Sequence, residues 1–242
     1  LIQIGTNWVN DLFDFLHGSD KKERLGPQRA AASGLLTKRE MELGILFNFG
    51  LSFILGMYLV YIGGTFIFVI GVASIFAGVA YTAGPFPLAY KGLGDIAVFL
   101  FFGFVGTIGT YYAQSLAITQ MSFWASIPVG ALITNILVVN NYRDFEEDEL
   151  NGKNTLVVIF GERFGRLQYV TFMILSYAIL FVVYFTFKNS LLIFLPLFSL
   201  PLAVKLIKMI YTLRGSELNK TLELTSKLSA LYGLLFAAGI LL

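Results

Sequence analysis

The chain has 242 residues, 57% of them hydrophobic and only 13% charged, with a net charge of +2; soluble domains carry roughly 25% charged residues, so a water-soluble globular fold is excluded and the lipid bilayer is implied as its setting. The small net charge, with no basic block interleaved with aromatics, excludes a nucleic-acid partner. The absence of cysteine excludes disulfides and thiolate chemistry, leaving oxygen ligands or the single imidazole of His17 for any metal, which points to a hard cation such as Mg2+.

Leu1 to Leu16 reads as the end of a transmembrane helix. Because the chain opens inside this apolar run, with neither a methionine nor a basic leader, a piece lacking its true start is expected. About 20 apolar residues cross a bilayer, and seven complete spans follow on that measure, near 44–62, 65–83, 95–114, 121–141, 167–186, 190–210 and 225–242. The expected fold is all-α: one polytopic bundle of transmembrane helices forming a single domain over residues 1–242. Closely spaced glycines such as Gly103, Gly106 and Gly109 permit neighbouring helices to approach.

Threading these spans puts loops 17–43, 84–94, 142–166 and 211–224 on one face and the turns near Gly63, Ser115 and Asn189 on the other. Of the 17 Lys and Arg residues only Lys188 belongs to the second face, so the first is expected to be cytoplasmic. All 15 Asp and Glu residues also fall on the first face, which charge-driven orientation does not require. Tyr58, Tyr61, Tyr111, Tyr112 and Tyr184 sit towards the second, as an aromatic belt does. The functional surface of this multi-pass membrane protein is therefore sought at the cytoplasmic face.

Two polar segments there carry matching patterns. In TNWVNDLFDFLHGSD, Asn7, Asp11 and Asp14 are spaced i, i+4, i+7 and share one helical stripe, with Asn10 beside Asp14 at i, i+4. In VVNNYRDFEEDELNGK, Asn141, Asp144 and Asp148 at i, i+3, i+7 do the same. Carboxylates at membrane depth cost roughly 2.5 to 3.5 kcal/mol each and need a cation, a partner or water. Two facing rows suit magnesium, which takes a few carboxylates plus waters and phosphate oxygens. A diphosphate bridged between them would find Lys22, Arg24, Arg29, Arg143 and Lys153 within one or two turns. Glu146, Glu147 and Glu149 read as solvated charges, and His17, three residues past Asp14, as a solvated helix cap.

The pair NDLFD and NNYRDFEEDELNGKNTL resembles the two aspartate-rich motifs of the UbiA-type superfamily of intramembrane prenyltransferases. Within it, RLGPQRAAASGLLT, YTAGPFPLAYKGLGD and NGKNTLVV are most similar to the 1,4-dihydroxy-2-naphthoate polyprenyltransferases of menaquinone biosynthesis, and the shared motifs run from about residue 4 to 166. The resemblance implies nine transmembrane helices around a central cavity, with the motifs on the second and sixth, so that this chain would lack the first helix and part of the second. It implies Mg2+ held by Asn10, Asp11, Asp14, Asp144 and Asp148, with Asn7 and Asn141 extending the same stripes. Lys153, Arg24, Arg29 and Arg143 would contact the diphosphate. The loop from Tyr81 to Asp95 would cover the site; relatives carry a Tyr-x-x-x-Lys pattern there, but Pro85 stands at the lysine position, which leaves Tyr81 and Lys91 as the candidates.

The implied reaction transfers a polyprenyl group from an allylic polyprenyl diphosphate to 1,4-dihydroxy-2-naphthoate, with loss of the ring carboxylate as carbon dioxide, giving a demethylmenaquinone-type product. No serine, cysteine or histidine constellation supports a covalent nucleophile, whereas metal and basic groups stabilise a departing diphosphate. The alternatives are another aromatic acceptor such as 4-hydroxybenzoate and, from a different class, a cation transporter that uses the carboxylates as an ion site.

Overall fold

The structure, a computed structural model, describes residues 1–19, 26, 28–188 and 190–242. The opening apolar run forms helix α1 (Ile2–Leu16), and its extension past His17 is broken at Gly18, where φ is +75°. A single short turn, α2 (Ala30–Ser33), precedes α3 (Lys38–Ala80). A capping box starts α3: Thr37 Oγ1 accepts the Glu40 N–H (3.3 Å) and the Glu40 carboxylate accepts the Thr37 N–H (2.8 Å).

The 43 residues of α3 are not one rod. Gly64 sits at φ 64°, ψ −155°, a conformation open only to glycine, and a Cβ placed on Gly78 would lie 3.8 Å from the Phe49 ring. In an unbroken helix those residues would be about 44 Å apart at 1.5 Å per residue. The chain therefore reverses at Gly64, and α3 is the antiparallel pair of spans expected at 44–62 and 65–83.

The next span is built of α4 (Gly94–Val98), a π-helical stretch Phe99–Val105 and α5 (Gly106–Ser115). It lies directly on α6 (Gln120–Arg143), the most enclosed helix. A Cβ on Gly103 would lie 2.9 Å from Gly130 Cα, and one on Gly130 would lie 2.9 Å from the Phe99 carbonyl oxygen, so backbone meets backbone there. Gly109 receives Ile70 of α3, whereas Gly106 faces only the Phe101 carbonyl of its own span.

After α6 come α7 (Phe145–Leu150) and α8 (Leu156–Phe160), then α9 (Glu162–Phe187), a 3-10 stretch Leu191–Ser199 running into α10 (Leu200–Thr212), and α11 (Leu218–Leu241). The main core lies among α6, α9, α10 and α11, around Val138, Tyr169, Leu180, Leu206 and Leu228. Unmet polar groups in hydrocarbon cost several kcal/mol, and most here are paired: Tyr169 with Thr225 (2.8 Å), Tyr177 with Ser199 (2.7 Å), and Asn135 Nδ2 donating to the Tyr169 carbonyl (3.0 Å).

Among the described residues six helices are long and apolar enough to cross a membrane. With the reversal at Gly64 they make the seven crossings expected. α9 begins at Glu162 rather than 167 and α11 at Leu218 rather than 225. In α11, ion pairs from Glu223 to Lys220 (3.1 Å) and Lys227 (2.6 Å) carry the helix through residues that hydropathy alone assigns to a loop.

Candidate active site

Three segments far apart in sequence meet at one end of the bundle: the end of α1, the connection from Tyr81 to Asp95, and the stretch from Asn140 through α7 to Thr155. Asn151 Nδ2 donates to the Ser19 carbonyl (3.3 Å), and the Asn154 N–H donates to the Tyr90 carbonyl (3.3 Å). Between them lies a small cavity of ≈ 80 Å³, partly open to the surface. Asn10, Asp14 and Arg29 line one side, Asn140, Asn141 and Lys153 another, with Tyr81, Thr82 and Asp95 contributed by the connection.

Asp14 and Asp148 carry the chemistry of this arrangement. Asp14 is buried, accepts a hydrogen bond from the Tyr90 hydroxyl (2.8 Å) and lies 3.4 Å from Arg29 Nη2. Asp148 pairs with Lys153 Nζ at 3.3 Å through Oδ1, while its buried Oδ2 has no partner among the described residues. Burial pushes the Asp148 carboxyl up to about 6 against the pull of Lys153, and the charges of Asp144 and Asp14 add to the rise. Burial alone would lower the pKa of Lys153, but Asp148, Asp14 and Asp144 outweigh it and the ammonium is held more firmly than usual. Its Nζ also stands 6.0 Å from the Tyr90 ring centroid.

The remaining expected residues divide. Asn10 lines the cavity and accepts the Thr82 hydroxyl (2.8 Å); Asn141 also lines it, and is buried. Tyr81 lines it too, and burial, then the charges of Asp95, Asp14 and Asp148, raise its pKa, so its hydroxyl stays protonated as a donor. Asp11 instead accepts the backbone N–H groups of Ala30 (2.9 Å) and Ala31 (3.2 Å) and so anchors α2. Asp144 is gripped by Arg143 through two bonds of 2.7 Å, and the guanidinium's other donors reach Asn219 (2.7 Å) and Asn140 (2.8 Å). Neither Asp11, Asp144 nor Arg143 lines the cavity. Asn7 is exposed although it shares the stripe of Asp11 and Asp14, because the elements that cover those two lie about a turn further along α1. Lys91 is exposed over the Phe86 ring (6.0 Å), outside the cavity, with its backbone bridged to Asn154. Lys22 and Arg24 lie outside the described residues. Glu146 and Glu149 are exposed and Glu147 half-buried; His17 is exposed, edge-on to Tyr90 with ring centroids 5.4 Å apart.

Tyr90, Thr82, Asn140 and Asp95 belong to this site and escaped the sequence pattern, which registered only paired aspartates. The signal for Asp95 is a lone acid opening a strongly apolar span. For a metal, the described residues bring no three acidic or histidine side chains together as a cage. Two buried carboxylates, one with an unmet oxygen, and the amides of Asn10 and Asn141 beside them form instead the sparse oxygen set that suits a hard cation completing its shell with water and phosphate.

A family model described as the UbiA prenyltransferase family matches residues 1–235. The 1,4-dihydroxy-2-naphthoate octaprenyltransferases of Haemophilus influenzae and Escherichia coli are each 35% identical over 251 aligned residues, covering all of this chain and 81% of the relative. The enzyme of the same name from Bacillus subtilis is 28% identical, covering all of this chain and 78% of its own length. A solved structure, described as digeranylgeranylglyceryl phosphate synthase in membranes, superposes with a TM-score of 0.63 over 98% of this chain and 80% of that one; at 15% identity it shares the fold. A match across almost the whole length, together with apolar helices that gather their polar residues at one end, makes this an integral membrane protein that belongs to the UbiA prenyltransferase family.

Proposed function

We propose that this prenyltransferase moves a polyprenyl group from an allylic polyprenyl diphosphate onto 1,4-dihydroxy-2-naphthoate, with loss of the ring carboxylate as carbon dioxide. The observation that carries this reading is the meeting of Asp14 and Lys153 in one cavity, with Asp148 paired to that lysine, from segments more than 130 residues apart, in a chain whose relatives bear that enzyme's name.

In this reading Arg29 and Lys153 bind the diphosphate oxygens, and the protonated Tyr81 hydroxyl donates to them. Magnesium, held by Asp14 and Asp148 with the amides of Asn10 and Asn141, would supply neutralising charge as the diphosphate departs. Arg143 holds Asp144 rigid and ties α6 to α11 through Asn219, so it positions the site without touching substrate. The bond between the allylic carbon and the diphosphate oxygen breaks with its electron pair on oxygen. The electron-rich ring then forms the new carbon–carbon bond. The prenyl tail stays among apolar helices while the head group meets the charged end of the bundle, expected to be the cytoplasmic one.

The test is conversion of dihydroxynaphthoate and a polyprenyl diphosphate by the purified protein with and without magnesium. Full turnover in excess chelator would sink the metal-dependent form of the proposal, and a preference for 4-hydroxybenzoate in competition would reassign the acceptor. A transporter site is disfavoured by position, since such sites lie near the bilayer midplane and these carboxylates gather at helix ends.

A further inference from the structure

Asp95 is a buried carboxylate, 4% exposed, that belongs to neither acid row and yet lines the cavity. A charge at the mouth of an apolar span is costly and marks function unless a partner accounts for it. Among the described residues no cation pairs with it: Gln168 Nε2 donates to Oδ1 at 3.1 Å, and its own backbone N–H supplies the remaining contact. An ionised carboxylate offers about four lone-pair directions, so acceptor capacity is left over. Gln168 is itself 9% exposed, and its buried Oε1 has no partner among the described residues. Turning the amide over would set that oxygen against the carboxylate, so Gln168 is locked as the donor to Asp95. Position in the first turn of α4 would account for an exposed aspartate; it does not account for one buried against a cavity.

The carboxylate of Asp95 and the Oε1 of Gln168 leave acceptor capacity over in this corner. A diphosphate, anionic and rich only in acceptors, is repelled from it. The ligand that completes it is uncharged there and brings a hydrogen-bond donor. Leu137 and Ala89 provide an apolar wall beside it, as a flat ring requires. We propose that Asp95, held by Gln168, recognises the aromatic acceptor by accepting the hydrogen bond of a free ring hydroxyl, which fixes the ring's orientation and feeds electron density into it. This rests on the prenyl-transfer reading above and assigns that reaction its second substrate's contact.

The experiment measures binding without prenyl diphosphate, beside turnover, for the detergent-purified protein and its Asp95→Ala and Gln168→Leu variants. The probes are 1,4-dihydroxy-2-naphthoate and its 1,4-dimethoxy analogue. Loss of a hydrogen bond to a charged group predicts a rise in Kd for the diol of roughly 10- to 100-fold in Asp95→Ala. The KM for the prenyl diphosphate should stay within about twofold of the unmodified protein, and Gln168→Leu should weaken diol binding less. The unmodified protein should prefer the diol over the dimethyl ether by a similar factor, a comparison that needs no variant to fold, and Asp95→Ala should lose that preference. Equal binding of diol and ether by the unmodified protein, or an undiminished preference in Asp95→Ala, overturns the inference. A diol preference that depends on Asp95, without prenylated product, would instead sink the prenyl-transfer reading and leave the recognition role standing.

Discussion

Four aspartates that look equivalent in sequence do different work. Asp14 lines the cavity with its oxygens on Tyr90 and Arg29, and Asp148 pairs with Lys153 and keeps one oxygen unmet among the described residues, whereas Asp11 spends both on the backbone of α2 and Asp144 both on Arg143. Asp148→Asn should therefore reduce kcat/KM by about 10²-fold or more, in line with the loss of one charge-stabilising group. Asp11→Ala should lower stability by about 1 to 3 kcal/mol, because two backbone donors lose their acceptor, a difference that melting curves in detergent would resolve. Asp148 also has a pH signature. Its folded pKa of about 6 lies above the ordinary aspartate value, so the fold disfavours the ionised form. The stability it contributes is complete below about pH 4 and is lost as the pH rises through 6, by about 3 kcal/mol at most. Metal-free protein should accordingly lose stability between about pH 4 and 6.5, and Asp148→Asn should show a smaller loss over the same range.

At the scale of elements, the site depends on how closely helices approach. The contact of Gly103 with Gly130 lets the α4–α5 span lie backbone to backbone on α6, and this sets Asp95 and Asn141 around one cavity. Gly130→Ala would press its methyl against the Phe99 carbonyl and the Gly103 backbone, neither of which is a flexible side-chain end. It should cost about 1 to 3 kcal/mol and lower turnover beyond what the loss of folded protein explains, measured by activity per folded molecule. Gly64 is constrained differently: a Cβ there meets nothing, so the cost of Gly64→Ala is purely conformational, about 1 to 3 kcal/mol. The loop tail NGKNT is likewise more than a link. Through Asn154 its backbone pairs with Tyr90 and Lys91, and the Lys153 N–H donates to the Asp148 carbonyl (2.9 Å) beside the ion pair that its side chain makes.

For the whole molecule, the charge distribution makes a topological prediction. The natural absence of cysteine gives a clean background for site-directed labelling. In cells, Ser216→Cys, in the turn before α11, should react only with thiol reagents that reach the cytoplasm, and Ser190→Cys, at the opposite end, with impermeant reagents from outside. The reverse pattern would place the cavity on the other side of the membrane. The same geometry accounts for the division of labour in the bundle, in which apolar cores hold the helices and one polar end holds the acids together.

The sequence by itself determined the membrane setting, the seven crossings and the reversal near Gly64, because each rests on local hydropathy and glycine conformation. It also picked out both pairs of acids, although the helix that was to carry the second pair breaks at Asp144, between α6 and α7. Only the tertiary structure decided that, of these four, Asp14 lines the cavity and Asp148 keeps an unmet oxygen beside Lys153. Asp11 and Asp14 differ by whether α2 or Tyr90 covers them, and Asp144 and Asp148 by whether Arg143 or Lys153 is in reach. Those partners come from elsewhere in the chain or are set by a turn, so no spacing rule encodes them. Asp95 makes the same point: a lone acid carries no periodic signal, and its place beside Gln168 exists only because α4 and α9 are brought together, 73 residues apart in sequence.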